Sequence, residues 1–129
     1  MSAIKDGLGK AAQFYEGQAE LAYYNRLFER TFIITPRNVI KSGGYIVDTL
    51  EAAGWCLLTT NSYKDAVLKA VNLGNDTDTV AAVTGGLAGA LYGYDAIPEK
   101  WRDTLIKRES IENLCEQIIK SQLQAQFRI

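Results

Sequence analysis

Apolar positions recur along most of this chain at intervals of three and four residues, the period of an amphipathic helix rather than of a strand. Ile4, Leu8, Ala11, Ala12, Tyr15, Ala19, Ala22 and Tyr23 keep that spacing, with Lys5, Lys10, Glu16 and Glu20 on the polar side, so residues 2 to 30 read as helical. Gly7, Gly9 and Gly17 weaken the run and mark places where it can break. Thr31 to Ile34 is β-branched and aromatic but too short to argue for a sheet. Thr35-Pro36 then reads as a helix start, with Thr35 as the cap and Pro36 at the first helical position, stopping at Ser42-Gly43-Gly44.

From Tyr45 the helical pattern is firm. Val47, Leu50, Ala53, Gly54, Leu57 and Leu58 share one face, and Asp48 and Glu51 lie near the positive end of the helix dipole. Ser62 followed by Asp65 resembles a capping box, opening a helix that turns Ala66, Val67, Ala70 and Val71 inward and ends at Gly74. A glycine-rich helix follows and stops at Gly93. Ile97-Pro98 begins a short helix containing Trp101 and Leu105. Glu109-Ser110 opens the last helix, whose stripe of Ile111, Leu114, Cys115, Ile118, Ile119 and Leu123 is expected to face a core. The fold class is therefore all-α, and the 129 residues suit a single domain or the C-terminal part of a larger one.

In the glycine-rich helix, Gly85, Gly89 and Gly93 repeat every four residues. Each interior glycine costs a helix about 1 kcal/mol relative to alanine. Close approach of a neighbouring backbone would offset that cost, so this helix is expected to be the innermost one. Its mouth, Asp76-Thr77-Asp78-Thr79, carries two carboxylates two residues apart.

Composition narrows the chemistry. Fourteen basic residues against fifteen acidic ones leave a net charge of −1, with no basic stripe, so nucleic acid is not a charge-driven partner. The uncharged run from Val80 to Tyr92 is too short to span a bilayer, and no signal-peptide pattern opens the chain; a cytoplasmic location is expected. Both cysteines, Cys56 and Cys115, fall in apolar helical patterns and are expected to be buried free thiols. The absence of histidine removes Ser-His and Cys-His nucleophile pairs and imidazole bases. What remains is chemistry on carboxylates, hydroxyls, backbone groups or a hard cation.

Two readings of the acidic turn stand side by side. In the first, Asp76 or Thr77 caps the glycine-rich helix by accepting from free amides, and Asp78 sits against the dipole. In the second, the carboxylates and the Thr79 hydroxyl offer hard oxygen donors to a divalent ion, which turns their mutual repulsion into attraction. Spacing alone does not choose between them.

Gly74-Asn75-Asp76-Thr77-Asp78-Thr79, continued by Val80 through Gly93, resembles the C-terminal signature of the ADP-ribosylglycohydrolase family. Gly44 to Trp55 is similar to the helix preceding that signature, and Ala96-Ile97-Pro98-Glu99-Lys100-Trp101 to the segment after it, so the likeness runs over roughly residues 43 to 115. Asn75 stands where a second glycine is common. The resemblance implies a compact, orthogonal multi-helix bundle of which this chain is the C-terminal part. It also implies a hydrolase that releases ADP-ribose from a modified protein or related small molecule, using two Mg2+ or Mn2+ ions.

On the same basis Asp76, Asp78 and Thr79 are the metal ligands, and Tyr45 either lines the substrate cleft or is a core aromatic. The family's other ligand cluster, a threonine with an acidic pair, has no counterpart in residues 1 to 42, where Asp6 stands alone. The chain is thus expected to supply half a site and to show little turnover by itself, with a separate N-terminal half or self-association completing it. The alternative is a non-catalytic, partner-binding remnant, with Tyr23, Tyr24, Phe28 and Phe32 left uncovered.

Overall fold

The computed structural model describes residues 2–126. It is all-α: no strand occurs among the described residues, and seven α-helices are joined by short 3-10 turns. They are α1 (Ser2–Phe14), α2 (Asn25–Phe28), α3 (Ile46–Leu58), α4 (Tyr63–Val71), α5 (Thr77–Tyr92), α6 (Glu99–Asp103) and α7 (Arg108–Gln126). The helices group into two compact units, one ending at Ala96 and the other beginning at Ile97.

In the first unit α3 is the innermost helix, not the glycine-rich α5. Val47, Thr49, Glu51, Ala52, Ala53, Trp55, Cys56, Leu57 and Leu58 of α3 are all buried, so it is enclosed on several faces. By contrast α5 buries only Val80, Thr84 and Ala88, a single i, i+4, i+8 stripe packed against α3 and α4. The reason is area. Hydrophobic stabilisation scales with the apolar surface removed from water, and a Gly/Ala-rich helix has little to remove. Nor do its glycines mark close backbone approach. A Cβ on Gly86, Gly89 or Gly93 would meet nothing within 4 Å, and one on Gly85 would meet only side-chain atoms, Tyr63 Oη at 3.3 Å and Val67 Cγ2 at 3.8 Å.

The core joins Leu27, Phe32, Ile40, Ala52, Trp55, Cys56, Leu58, Ala70, Leu73 and Val80, with Ile4 and Leu8 of α1 packed on it. Phe32, expected at the surface, is among its most buried members; Tyr23 is exposed as expected. The helix expected over residues 2 to 30 ends at Phe14, and Gly17 takes a positive φ of 85°, after which only a 3-10 turn and the four-residue α2 form. Thr35-Pro36 does not start an α-helix either. Arg37–Val39 is a single 3-10 turn whose cap residue, Pro36, has extended backbone. Thr35 instead gives its carbonyl oxygen to the Trp55 indole N–H at 3.0 Å.

Ser62 caps α4 as expected: its Oγ accepts from the Asp65 N–H at 3.0 Å and donates to Asp65 Oδ2 at 2.7 Å, a side-chain bond in place of the reciprocal backbone bond of a full capping box. Of the four residues expected to point inward from α4, Ala66 and Ala70 are buried, whereas Val71 is exposed.

In the second unit, Pro98 precedes α6 as its cap, and Leu105 falls beyond its end. Arg108 ties Asp103 (2.7 Å) to Glu112 (2.8 Å) at the start of α7. The α7 stripe does not form a core. Ile111, Leu114, Ile118, Ile119 and Leu123 are all exposed, as is Cys115, so only Cys56 is a buried thiol.

Candidate metal centre

The acidic turn lies between α4 and α5 and is shaped by two consecutive left-handed residues, Gly74 (φ 87°) and Asn75 (φ 59°). Asparagine is one of the few side chains that visit this region readily, because its short polar group bonds locally. Asn75 therefore takes a backbone conformation that glycine adopts freely. Its Nδ2 points to Ser42 Oγ at 3.5 Å.

Beside it runs the loop before α3. Ser42 is buried, and its carbonyl oxygen accepts from the Asp76 N–H at 3.0 Å. Its hydroxyl donates to the Gly74 carbonyl at 2.8 Å. Thr49 Oγ1 donates to the Gly43 carbonyl at 3.3 Å and pins the far side of this loop. From below, the Arg37 guanidinium donates to the carbonyl oxygens of Leu73 and, at 3.4 Å, Asn72, closing the C-terminal end of α4. Three separate segments thus hold the turn.

Asp76 occupies the cap position of α5, yet its side chain makes no capping hydrogen bond to the helix amides. Its Oδ1 accepts instead from Thr79 Oγ1 at 2.8 Å. Its Oδ2 lies against Gly44, where an added Cβ would come within 2.9 Å of it. Hydrogen bonding with the Asp76 carboxyl, then with the backbone N–H groups of Asp78 and Thr79, holds the fully exposed Asp78 carboxyl below the usual carboxylate range. Asp78, not Asp76, is therefore the carboxylate served by the first-turn amides.

Asp76 and Thr79 are thus joined directly, and Asp78 lies between them in the same first turn. Asp76 is half-buried, whereas Asp78 and Thr79 face solvent. Two carboxylates and a hydroxyl suit a hard cation such as Mg2+, which binds oxygen and keeps several waters. Among the described residues no group of three or more His, Cys, Asp and Glu is placed to hold a metal ion. Tyr45 directly follows Gly44 and caps α3 by position; it is 57% exposed and is not a core aromatic. The Ser42 and Gly44 contacts were not legible as site features in the sequence. Their only signal was a Ser-Gly-Gly turn whose partner lies 32 or more residues downstream.

No helix among the described residues is long and apolar enough to cross a membrane. Comparison with known proteins places this geometry in context. The chain is 55% identical over 82 residues to the ADP-ribosylarginine hydrolase Tri1 of Serratia proteamaculans, a stretch covering 64% of this chain and 22% of that protein. It is 42% identical over 65 residues to the ADP-ribosyl-[dinitrogen reductase] glycohydrolase of Rhodospirillum rubrum, covering 50% of this chain and 22% of that one. Over 58 residues it is 36% identical to human ADP-ribosylhydrolase ARH3, covering 45% and 16%. The chain thus spans about a fifth of the length of these curated relatives. The sequence pattern of ADP-ribosylglycohydrolases matches residues 2–127, nearly the whole chain, which therefore belongs to the ADP-ribosylglycohydrolase family.

Proposed function

We propose that this chain contributes the Asp76–Asp78–Thr79 part of a divalent-cation site in an enzyme that hydrolyses ADP-ribosyl bonds on modified proteins. The observation that carries this reading is the Asp76 carboxylate. It stands at a helix cap without capping, and it bonds to Thr79, while Asp78 lies two residues further along the same turn. Relatives named for ADP-ribosylarginine and ADP-ribosyl-dinitrogen reductase support a modified protein as substrate.

Within that site Asp76 and Asp78 would hold Mg2+ or Mn2+ through carboxylate oxygens, and Thr79 would add a neutral oxygen. When bound, the ions supply Lewis acidity toward the ribose oxygens and a means of orienting water near the anomeric carbon. Thr79 keeps the Asp76 carboxylate turned toward the mouth of α5, and the amides of Asp78 and Thr79 keep Asp78 ionised and ready to bind. The remaining ligands of a two-ion site would come from outside residues 1 to 42, for which a separate N-terminal half is the natural source.

The experiment is a Mg2+ titration of ADP-ribose release from an ADP-ribosylated protein, with the chain alone and with an N-terminal half supplied. Turnover is expected only in the second case, and Asp78→Asn in the complete enzyme is expected to abolish its metal dependence. Unchanged metal-dependent release by Asp78→Asn would sink the assignment.

A second reading, a non-catalytic interaction module, is favoured by one observation. A largely apolar groove of about 1000 Å³ runs between α1 and α3 in the first unit, lined by Leu8, Phe14, Leu50 and Leu57 among others. Sedimentation of a compact monomer unaffected by an added N-terminal half would count against it.

A further inference from the structure

We infer that Ser42 and Gly44 are positioning residues for Asp76: the loop before α3 seats the Asp76 carboxylate, and the missing side chain at position 44 leaves the space in which it lies. This inference rests on the cation-site reading above and assigns the elements that aim its half-buried ligand.

Three observations carry it. First, one buried serine serves the whole turn: Ser42 takes the Asp76 N–H on its carbonyl, donates its hydroxyl to the Gly74 carbonyl and lies beside the Asn75 amide. Second, a Cβ at Gly44 would stand 2.9 Å from Asp76 Oδ2 and 3.9 Å from its Cγ, and no other atom lies within 4 Å. Gly44 does not take a positive φ, so its backbone suits any residue; the one thing a methyl group would disturb is that carboxylate. Third, Asp76 is tied at its other oxygen: Oδ1 accepts from Thr79 Oγ1 at 2.8 Å, so pushing Oδ2 off Gly44 turns the carboxylate that carries that bond. A one-carbon change at position 44 thereby reaches two of the three proposed ligands without touching the core.

Gly43 provides the internal control, because a Cβ there would meet nothing within 4 Å. The test compares Gly44→Ala, Gly43→Ala and the parent chain by amide NMR without metal and by Mn2+ binding followed by electron paramagnetic resonance. Gly44→Ala is expected to shift the Asp76–Thr79 resonances in the metal-free protein and to weaken Mn2+ binding about 10- to 100-fold, the range for residues that orient metal ligands. Gly43→Ala is expected to do neither. Ser42→Ala, which keeps the backbone bond to Asp76 and loses the one to Gly74, is expected to weaken Mn2+ binding less than Gly44→Ala.

Unshifted resonances in Gly44→Ala, or parent-like Mn2+ affinity, overturn the positioning role. So does a Gly44→Ala chain that fails to fold, since the contact would then serve stability. A parent chain that leaves millimolar Mn2+ free even with the N-terminal half supplied overturns the cation reading instead, while the metal-free shifts still decide whether Gly44 seats Asp76.

Discussion

Shortening Val80 to alanine removes two methyl groups from the point where the site-bearing helix enters the core. Val80 is fully buried, among the largest side chains with no exposure at all, and belongs to the central cluster with Trp55, Cys56 and Leu73. At about 0.8 kcal/mol for each buried carbon, the lost transfer free energy is roughly 1.6 kcal/mol. The cavity left in a close-packed interior adds to this, because α3 and α4 can relax onto it only in part. Alanine's better helix propensity returns about 0.5 kcal/mol. The net expectation is a loss of about 2 kcal/mol, or roughly 8–16 °C in the midpoint of a unit of this size. Thermal unfolding followed by far-UV circular dichroism measures it. Leu87→Ala, on the same helix but 42% exposed, serves as the comparison and is expected to cost less than half as much. A Val80→Ala midpoint within about 2 °C of the parent, or an equal loss for Leu87→Ala, would refute the placement of Val80 as the anchor of α5.

Burial pushes the Cys56 thiol up from 9.0 to about 11, with Lys69 and Arg37 only partly opposing it, whereas Cys115 is exposed. Maleimide labelling read by mass spectrometry is expected to modify Cys115 promptly and Cys56 only on unfolding; prompt double labelling would contradict the structure. Because the folded state holds the Cys56 proton more tightly than the unfolded chain, the stability it contributes is complete below pH 9 and is lost as the pH rises toward 11. A Cys56→Ala variant should lack that decline in a series of urea melts. Removing the α4 cap with Ser62→Ala is expected to cost about 1 kcal/mol, and Ser62→Asp should recover most of it in the same melts.

The parts of this fold that were legible in the sequence are those in which local pattern and tertiary environment agree. The helices over 46–58, 63–71 and 77–92 follow their hydrophobic period, and Ser62 and Gly93 mark boundaries through local backbone chemistry. The misreadings came from long-range competition. Glycine spacing in α5 suggested a central helix, but centrality follows apolar area, which α3 has and α5 lacks. The α7 stripe predicted a buried face, whereas its apolar residues are exposed.

At the site, the resemblance picked out Asp76, Asp78 and Thr79, which share one turn, and the structure joins Thr79 to Asp76 by a hydrogen bond. That Asp76 does not cap, and that Ser42 and Gly44 hold it, depends on a loop more than 30 residues upstream, and no local pattern encodes such a contact.

That same loop contact ties the turn to the helices around it. Ser42 and Gly74 meet only by closing a segment of 32 residues, and the entropy of that closure must be met before the acidic turn has a shape. The packing of α3, α4 and α5 supplies the compensation, so the turn takes its shape only together with the docking of those helices. In the unfolded chain Asp76 and Asp78 are two ordinary acids with no fixed separation. Any cation they grip would then bind the folded state alone, and its concentration would raise the stability of the first unit by mass action. Any affinity of this mouth for a cation would therefore be linked to the docking of α3, α4 and α5, and the linkage is measurable from either end.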